Sequence, residues 1–144
     1  ERFSLGASLG QCCGGATVLL FEPMGQPQAH IAVFGAGGDR PRMRRTDMAR
    51  SAIRWADCAV VTADNPRSER VEDICADISA ALGAFPHETV PDRRAAIFRA
   101  LDMAGPGDVV ALLGKGHEEY IEENGVRRPF SERAVVAEYF APGR

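Results

Sequence analysis

The sequence predicts an α/β domain: Rossmann-like and three-layered, with a mainly parallel sheet and a C-terminal β-hairpin followed by a helix. Three observations predict it. From His30 onward, short apolar runs alternate with amphipathic segments, the pattern of βαβ units packed around a sheet. Three of those runs end in a glycine-rich or polar loop, as strands do at the carboxyl edge of an open α/β sheet. Near the end of the chain, Asn124-Gly125 separates two short segments, a strong two-residue hairpin signal.

The elements follow in order. His30 to Gly35 (HIAVFG) reads as a strand that opens into a glycine-rich loop. Thr46 is placed to cap a helix reaching about Ala56, with Met48, Ala52 and either Trp55 or Ala56 facing inward. Cys58 to Ala63 (CAVVTA) is a second strand, and Pro66 forbids its continuation as a central one. Val71, Ile74, Cys75, Ile78 and Leu82 then share one helical face, which Gly83 terminates.

A weaker strand near His87 to Val90 precedes a helix from about Asp92, whose Ile97, Ala100, Leu101 and Ala104 lie on one side. Val109 to Leu113 (VVALL) is short, continuous and apolar, as expected of a strand covered on both faces. Glu119 to Glu123 and Val126 to Phe130 form the hairpin, and Ser131 caps a last helix carrying Val135, Val136, Tyr139 and Phe140. Ala16 to Glu22 has strand character, but the surrounding glycines leave the first thirty residues open.

Size and composition bound what such a domain does. At 144 residues and 45% hydrophobic content the chain is one domain, residues 1–144, with material for a single core. A net charge of -3 lacks the basic excess of a nucleic-acid or anionic-membrane binder. No run approaches the roughly 20 apolar residues that span a bilayer, and no signal-peptide pattern opens the chain, so a soluble, cytoplasmic protein is expected. Cys12, Cys13, Cys58 and Cys75 suit reduced, buried thiols better than a disulfide framework. A chain starting at Glu1 without methionine is expected to be a fragment of something longer.

The chemistry is expected where the loops converge: Gly37-Gly38-Asp39-Arg40, Asp64-Asn65-Pro66-Arg67 and Gly114-Lys115-Gly116-His117-Glu118. Arg40 and Arg67 can grip carboxylates with the planar guanidinium fork, while Asp64 and Glu118 can accept from an ammonium. Asn65 offers a donor and an acceptor, and a free carbonyl near Gly114 can receive one more N–H. An amino acid fits that set of partners.

Read singly, these pieces have plainer meanings. Asp-Asn-Pro-Arg alone reads as an Asx-type turn beside a solvated arginine. The G-x-x-x-x-G-K-[ST] phosphate loop is absent, as is a G-x-G-x-x-G turn for a dinucleotide. His117 has no His or Cys at zinc-ligand spacing and reads as structural; no metal and no catalytic side chain is expected in this chain. Arg40, Arg42, Arg44 and Arg45 read as a solvated face rather than a phosphate site, and Glu122, Glu123, Arg127 and Arg128 as decoration of an exposed hairpin.

In order along the chain, Phe34-Gly35-Ala36-Gly37-Gly38-Asp39-Arg40, Val60-Val61-Thr62, Asp64-Asn65-Pro66-Arg67, Gly114-Lys115-Gly116-His117-Glu118 and Phe130-Ser131-Glu132-Arg133 resemble the C-terminal, amino-acid-binding domain of the Mur ligase family. The resemblance covers about Ile31 to Phe140; residues 1–29 match the family poorly, and Pro41 to Thr46 (PRMRRT) departs from the family's usual run there.

Within that family the Asp-Asn-Pro-Arg tetrad marks ligases that add meso-diaminopimelate, the third amino acid, so Arg67 implies that substrate. The resemblance further implies that Arg40, Asp64, Asn65, Pro66, Arg67, Gly114 and Glu118 form the binding site. In the full-length enzyme ATP and magnesium activate a carboxylate of UDP-MurNAc-L-Ala-D-Glu, in a central ATPase domain that partners this one. No cofactor is expected in this chain alone, which lacks the phosphate loop and should not catalyse ligation. The alternatives are a free-standing, non-catalytic amino-acid-binding paralogue and a generic nucleotide-binding Rossmann-like domain.

Overall fold

A computed structural model describes the backbone of residues 2–5 and 15–18 and the whole of residues 29–143. β1 (Arg2–Leu5) and β2 (Gly15–Val18) pair antiparallel, Leu5 opposite Gly15. The expected strand at Ala16 to Glu22 overlaps β2 at its start; Glu22 lies outside the described residues, as do Cys12 and Cys13.

The domain proper is a four-stranded parallel sheet in the order β5-β4-β3-β6, built from β3 (His30–Phe34), β4 (Cys58–Val61), β5 (His87–Thr89) and β6 (Val109–Leu112). Helices α1 (Met43–Trp55), α2 (Val71–Leu82) and α3 (Arg93–Met103) connect these strands in turn. The hairpin β7 (Tyr120–Glu123) and β8 (Val126–Pro129) follows, then α4 (Glu132–Tyr139).

The period-2 alternation of a strand divides the core in two. Ala32 and Phe34 of β3, with Ala59 and Val61 of β4, point to one face and meet Ala49 and Ala52 of α1 and Ile74, Cys75, Ile78 and Leu82 of α2. Ile31 and Val33, with Val60, point to the other and meet Ala96, Ile97 and Ala100 of α3 and Val135 of α4. The expected three layers result, with the α2 and α3 stripes facing inward. Each fully buried Val or Ile contributes about 1.5–3 kcal/mol of transfer free energy, so the sheet centre carries much of the driving force.

Four expectations change. α1 begins at Met43, three residues before Thr46, because Arg44 and Arg45 N–H groups close a turn on Pro41 and Arg42 that runs straight into the helix. Its inward face holds Ala52, with Met48 and Ala56 packed beside it, as expected, but also takes in Arg45 and Ala49; Trp55 is 73% exposed. β6 is an edge strand, not a covered one: Val110 and Leu112 pack on the α3 side, while Ala111 and Leu113 line an open cleft of about 560 Å³ beside Trp55 and Met48. α4 ends at Tyr139, with Val135 buried and Val136 packed beside it, so Phe140 is the residue that caps the helix and is 69% exposed.

Sheet order also places the site. The chain moves from β3 outward to β4 and β5, then α3 carries it back past β3 to β6. The loops leaving β3 and β6 therefore diverge between neighbouring strands, opening the crevice where ligands of such sheets bind.

Candidate functional site

Three loops meet at that crevice. Residues 35–40 leave β3, 62–70 leave β4 and 113–118 leave β6. Together they line a cleft of about 200 Å³ that includes Arg40, Asp64, Asn65, Arg67, Gly114 and Glu118. Six of the seven expected residues thus share one cavity. Pro66 does not; it is buried and borders a separate cleft beneath the hairpin.

Backbone contacts clamp the first two loops together. The Gly38 N–H donates to the Asn65 carbonyl at 2.9 Å, and a Cβ on Gly38 would lie 1.9 Å from the Pro66 carbonyl oxygen, so only glycine permits this approach. Asp39 accepts from the Ser68 hydroxyl at 2.5 Å, which holds its carboxyl below the usual carboxylate range, and its own N–H donates to Glu69. Glu69 in turn accepts from Arg45, whose guanidinium holds that carboxyl low as well.

Arg67 sits at φ 53°, in the left-handed region that side chains rarely adopt, and its Nη1 donates to the Gly38 carbonyl at 2.7 Å. Its backbone is pinned from the other side: the Arg67 N–H donates to the Glu122 carbonyl, and the Asn124 N–H to the Arg67 carbonyl. Glu122–Arg127 and Glu123–Arg128 do pair across the hairpin surface, as a decorated hairpin would. The hairpin backbone does more, acting as the outer wall that fixes Arg67. Asn124 and Gly125 both take positive φ, the backbone its two-residue turn requires.

The acidic side of the cleft is organised by a residue that sequence reasoning missed. Lys115 is 1% exposed, and its ammonium contacts Asn65 Oδ1 at 2.7 Å, Asp64 Oδ1 at 3.1 Å and Glu118 Oε2 at 3.4 Å. Asn65 is almost fully committed: Oδ1 also accepts from the Glu122 N–H, and Nδ2 donates to Glu118 Oε2 at 2.8 Å. One carboxamide N–H remains for a ligand. His117, by contrast, is exposed.

Two more buried cations frame the site. Arg93 donates to the carbonyls of Ala63 and Leu113, the residues just before Asp64 and Gly114, and pairs with Glu132 of α4. Arg45, read as solvated, is 1% exposed and pairs with Glu69 and Asp77 at 2.7 Å each. Burial alone would lower its pKa, but those two hydrogen-bonded carboxylates outweigh it and leave the guanidinium raised. A signal for both was present: Arg45 with Ala49 and Ala52, and Arg93 with Ala96, Ile97 and Ala100, keep the spacing of an inward helical stripe. Arg40, Arg42 and Arg44 are exposed, and Arg40 and Arg44 make no ion pair among the described residues.

The cleft is therefore lined by four arginines, Arg40, Arg44, Arg45 and Arg67, and by the carboxylates of Asp64 and Glu118. A family model for the Mur ligase glutamate ligase domain matches residues 16–116. The chain belongs to the Mur ligase family.

Among Mur ligases it is similar to UDP-N-acetylmuramoyl-L-alanyl-D-glutamate–2,6-diaminopimelate ligases. It is 48% identical over 109 residues to that of Aquifex aeolicus (75% of this chain, 23% of the relative) and 48% over 108 residues to that of Chromobacterium violaceum (75% and 22%). With the Neisseria meningitidis relative it shares 42% over 123 residues (85% and 24%). A solved structure of a ligase of that name superposes with a TM-score of 0.73 at 39% identity, covering 78% of this chain and 23% of the solved one. The chain thus spans less than a quarter of the length of these relatives.

Proposed function

We propose that this Mur ligase domain receives the amino acid in an ATP-dependent ligase that adds meso-diaminopimelate to UDP-MurNAc-L-Ala-D-Glu during peptidoglycan precursor synthesis in the cytoplasm. The observation that carries the reading is the charge of the cleft, which gathers Arg40 and Arg67 with Asp64 and Glu118 around about 200 Å³. A zwitterion needs both charges met. Diaminopimelate has two carboxylates and two ammonium groups, and Arg67, anchored by one N–H to Gly38, keeps its other donors for a carboxylate.

The domain's contribution is positioning. Holding the attacking amine against an activated carboxyl replaces a bimolecular encounter, an effect worth up to about 7–11 kcal/mol in well-oriented systems. Asp64 and Glu118 orient that amine or the distal one; the two arginines orient the carboxylates. ATP and magnesium would be held by the rest of such an enzyme. The central ATPase domain would be the partner of this one.

Calorimetric titration with meso-diaminopimelate, with L-lysine as control, tests the reading on the wild type and on Arg67→Ala. Selective binding of diaminopimelate that Arg67→Ala abolishes is the expected result; equal affinity for both amino acids rules out the assignment. The alternative is a non-catalytic paralogue that keeps the same recognition. Ligation assayed with the gene's complete product separates the two.

A further inference from the structure

Lys115 stands between two glycines at the start of the 114–118 loop, yet its side chain is fully buried. Burying an ammonium in a low-dielectric setting costs several kcal/mol unless it is paired and hydrogen-bonded. Its three polar contacts come from two loops: Asp64, an ion pair, and Asn65 after β4, and Glu118 from its own turn. The Tyr120 ring, 5.6 Å away, closes the fourth side.

Asp64 Oδ1 is solvent-shielded and has no hydrogen-bond partner among the described residues. What compensates it is the Lys115 charge at 3.1 Å. Without that charge, Asp64 and Glu118 would present two negative charges into one small cleft, and Asn65 Oδ1 would lose its shortest contact. With it, this group of two carboxylates and one ammonium carries a single net negative charge beside the arginines that line the same cleft.

We infer that Lys115 is a positioning and specificity-setting residue of the amino-acid site: its buried ammonium holds Asn65 and Glu118 in register and cancels one of the cleft's two negative charges. The inference rests on reading the cleft as the amino-acid site. It explains why a cleft with two acidic groups favours a ligand of zero net charge, diaminopimelate, over lysine with its net positive charge: each charge left in the cleft changes the balance between the two. Arg67 attracts the second carboxylate; Lys115 lowers the reward for an unbalanced ammonium.

The test uses the full chain with Lys115→Met, which keeps length and removes charge, and with Lys115→Arg, which keeps the charge. Affinities for meso-diaminopimelate and L-lysine are measured by calorimetry, and the Asn65 side-chain amide is followed by NMR. Lys115→Met is expected to bind diaminopimelate about tenfold or more weakly, the scale of one lost charge-assisted hydrogen bond. Its preference should shift toward lysine and its Asn65 amide signals should move, while Lys115→Arg keeps the wild-type preference.

A folded Lys115→Met with unchanged preference and unchanged Asn65 signals overturns the inference. If Lys115→Met does not fold, Lys115→Arg decides: folding with the wild-type preference supports charge cancellation, and failure of either overturns it. A wild type that binds no diaminopimelate counts against the proposed function instead, and the Asn65 signals then decide the positioning role alone, an unmoved amide overturning it.

Discussion

Arg93 and Glu132 form a buried ion pair in which Nε, at 2.9 Å, and Nη2, at 2.7 Å, both donate to the same carboxylate oxygen. The Arg93 side chain is inaccessible to solvent, and its remaining donors reach the Ala63 and Leu113 carbonyls. One guanidinium thereby ties the ends of β4 and β6 to the first turn of α4, directly beneath the cleft.

Removing one partner of a buried pair leaves the other charge uncompensated, a loss of about 3–5 kcal/mol. Glu132→Gln should therefore lower stability toward that range, read as a fall in the urea midpoint. Arg93→Met should cost a comparable amount and also release the two carbonyls, loosening the 63–64 and 113–114 backbone in hydrogen exchange.

The backbone at Arg67 separates stability from recognition. At φ 53° a Cβ is strained, so Arg67→Gly should be more stable than Arg67→Ala by about 1 kcal/mol. Both variants should bind diaminopimelate at least about tenfold more weakly, since each deletes the same fork of donors. Thermal melts rank stability; titrations rank affinity.

Acid should act through Glu69. Its carboxyl is held low by the Arg45 hydrogen bond, so the folded form releases its proton more readily than the unfolded chain. The stabilisation is present in full above the unfolded carboxylate value of about 4.3 and is lost as pH falls through the lower folded value. Urea midpoints between pH 7 and pH 3 should fall less steeply in Glu69→Gln, which is weaker at neutral pH and has no such proton to gain.

Thiol chemistry should follow burial. Cys75, 1% exposed inside α2, is pushed up to about 11 by burial and stays protonated near pH 8, whereas Cys58 is only half-buried. Alkylation followed by peptide mass spectrometry should find Cys75 labelled much later than Cys58, at a rate rising with urea as the core opens.

Much of the architecture was legible because it rests on periodicity. The two-residue alternation in HIAVF, the helical stripe from Val71 to Leu82 and the Asn124-Gly125 turn are local signals, and each element stands where it was expected. The boundaries that moved did so for non-local reasons: α1 starts early where Arg45 joins its inward face to reach Glu69 and Asp77, and β6 is an edge strand because of sheet order, to which a run of five apolar residues is blind.

The site shows the same division. Its residue types, two arginines, two acids, an asparagine and permissive glycines, were set by the sequence and sufficed to suggest an amino acid as ligand. Which of them remain free was decided only by tertiary structure. Asn65 is largely consumed in holding Lys115, Glu118 and Glu122, and Pro66 shapes the neighbouring loop from beneath. The physical reason is that a charged side chain carries the same letter whether solvated or buried. Only the arrangement of distant loops shows whether a lysine faces water or, as Lys115 does, binds the site together from inside.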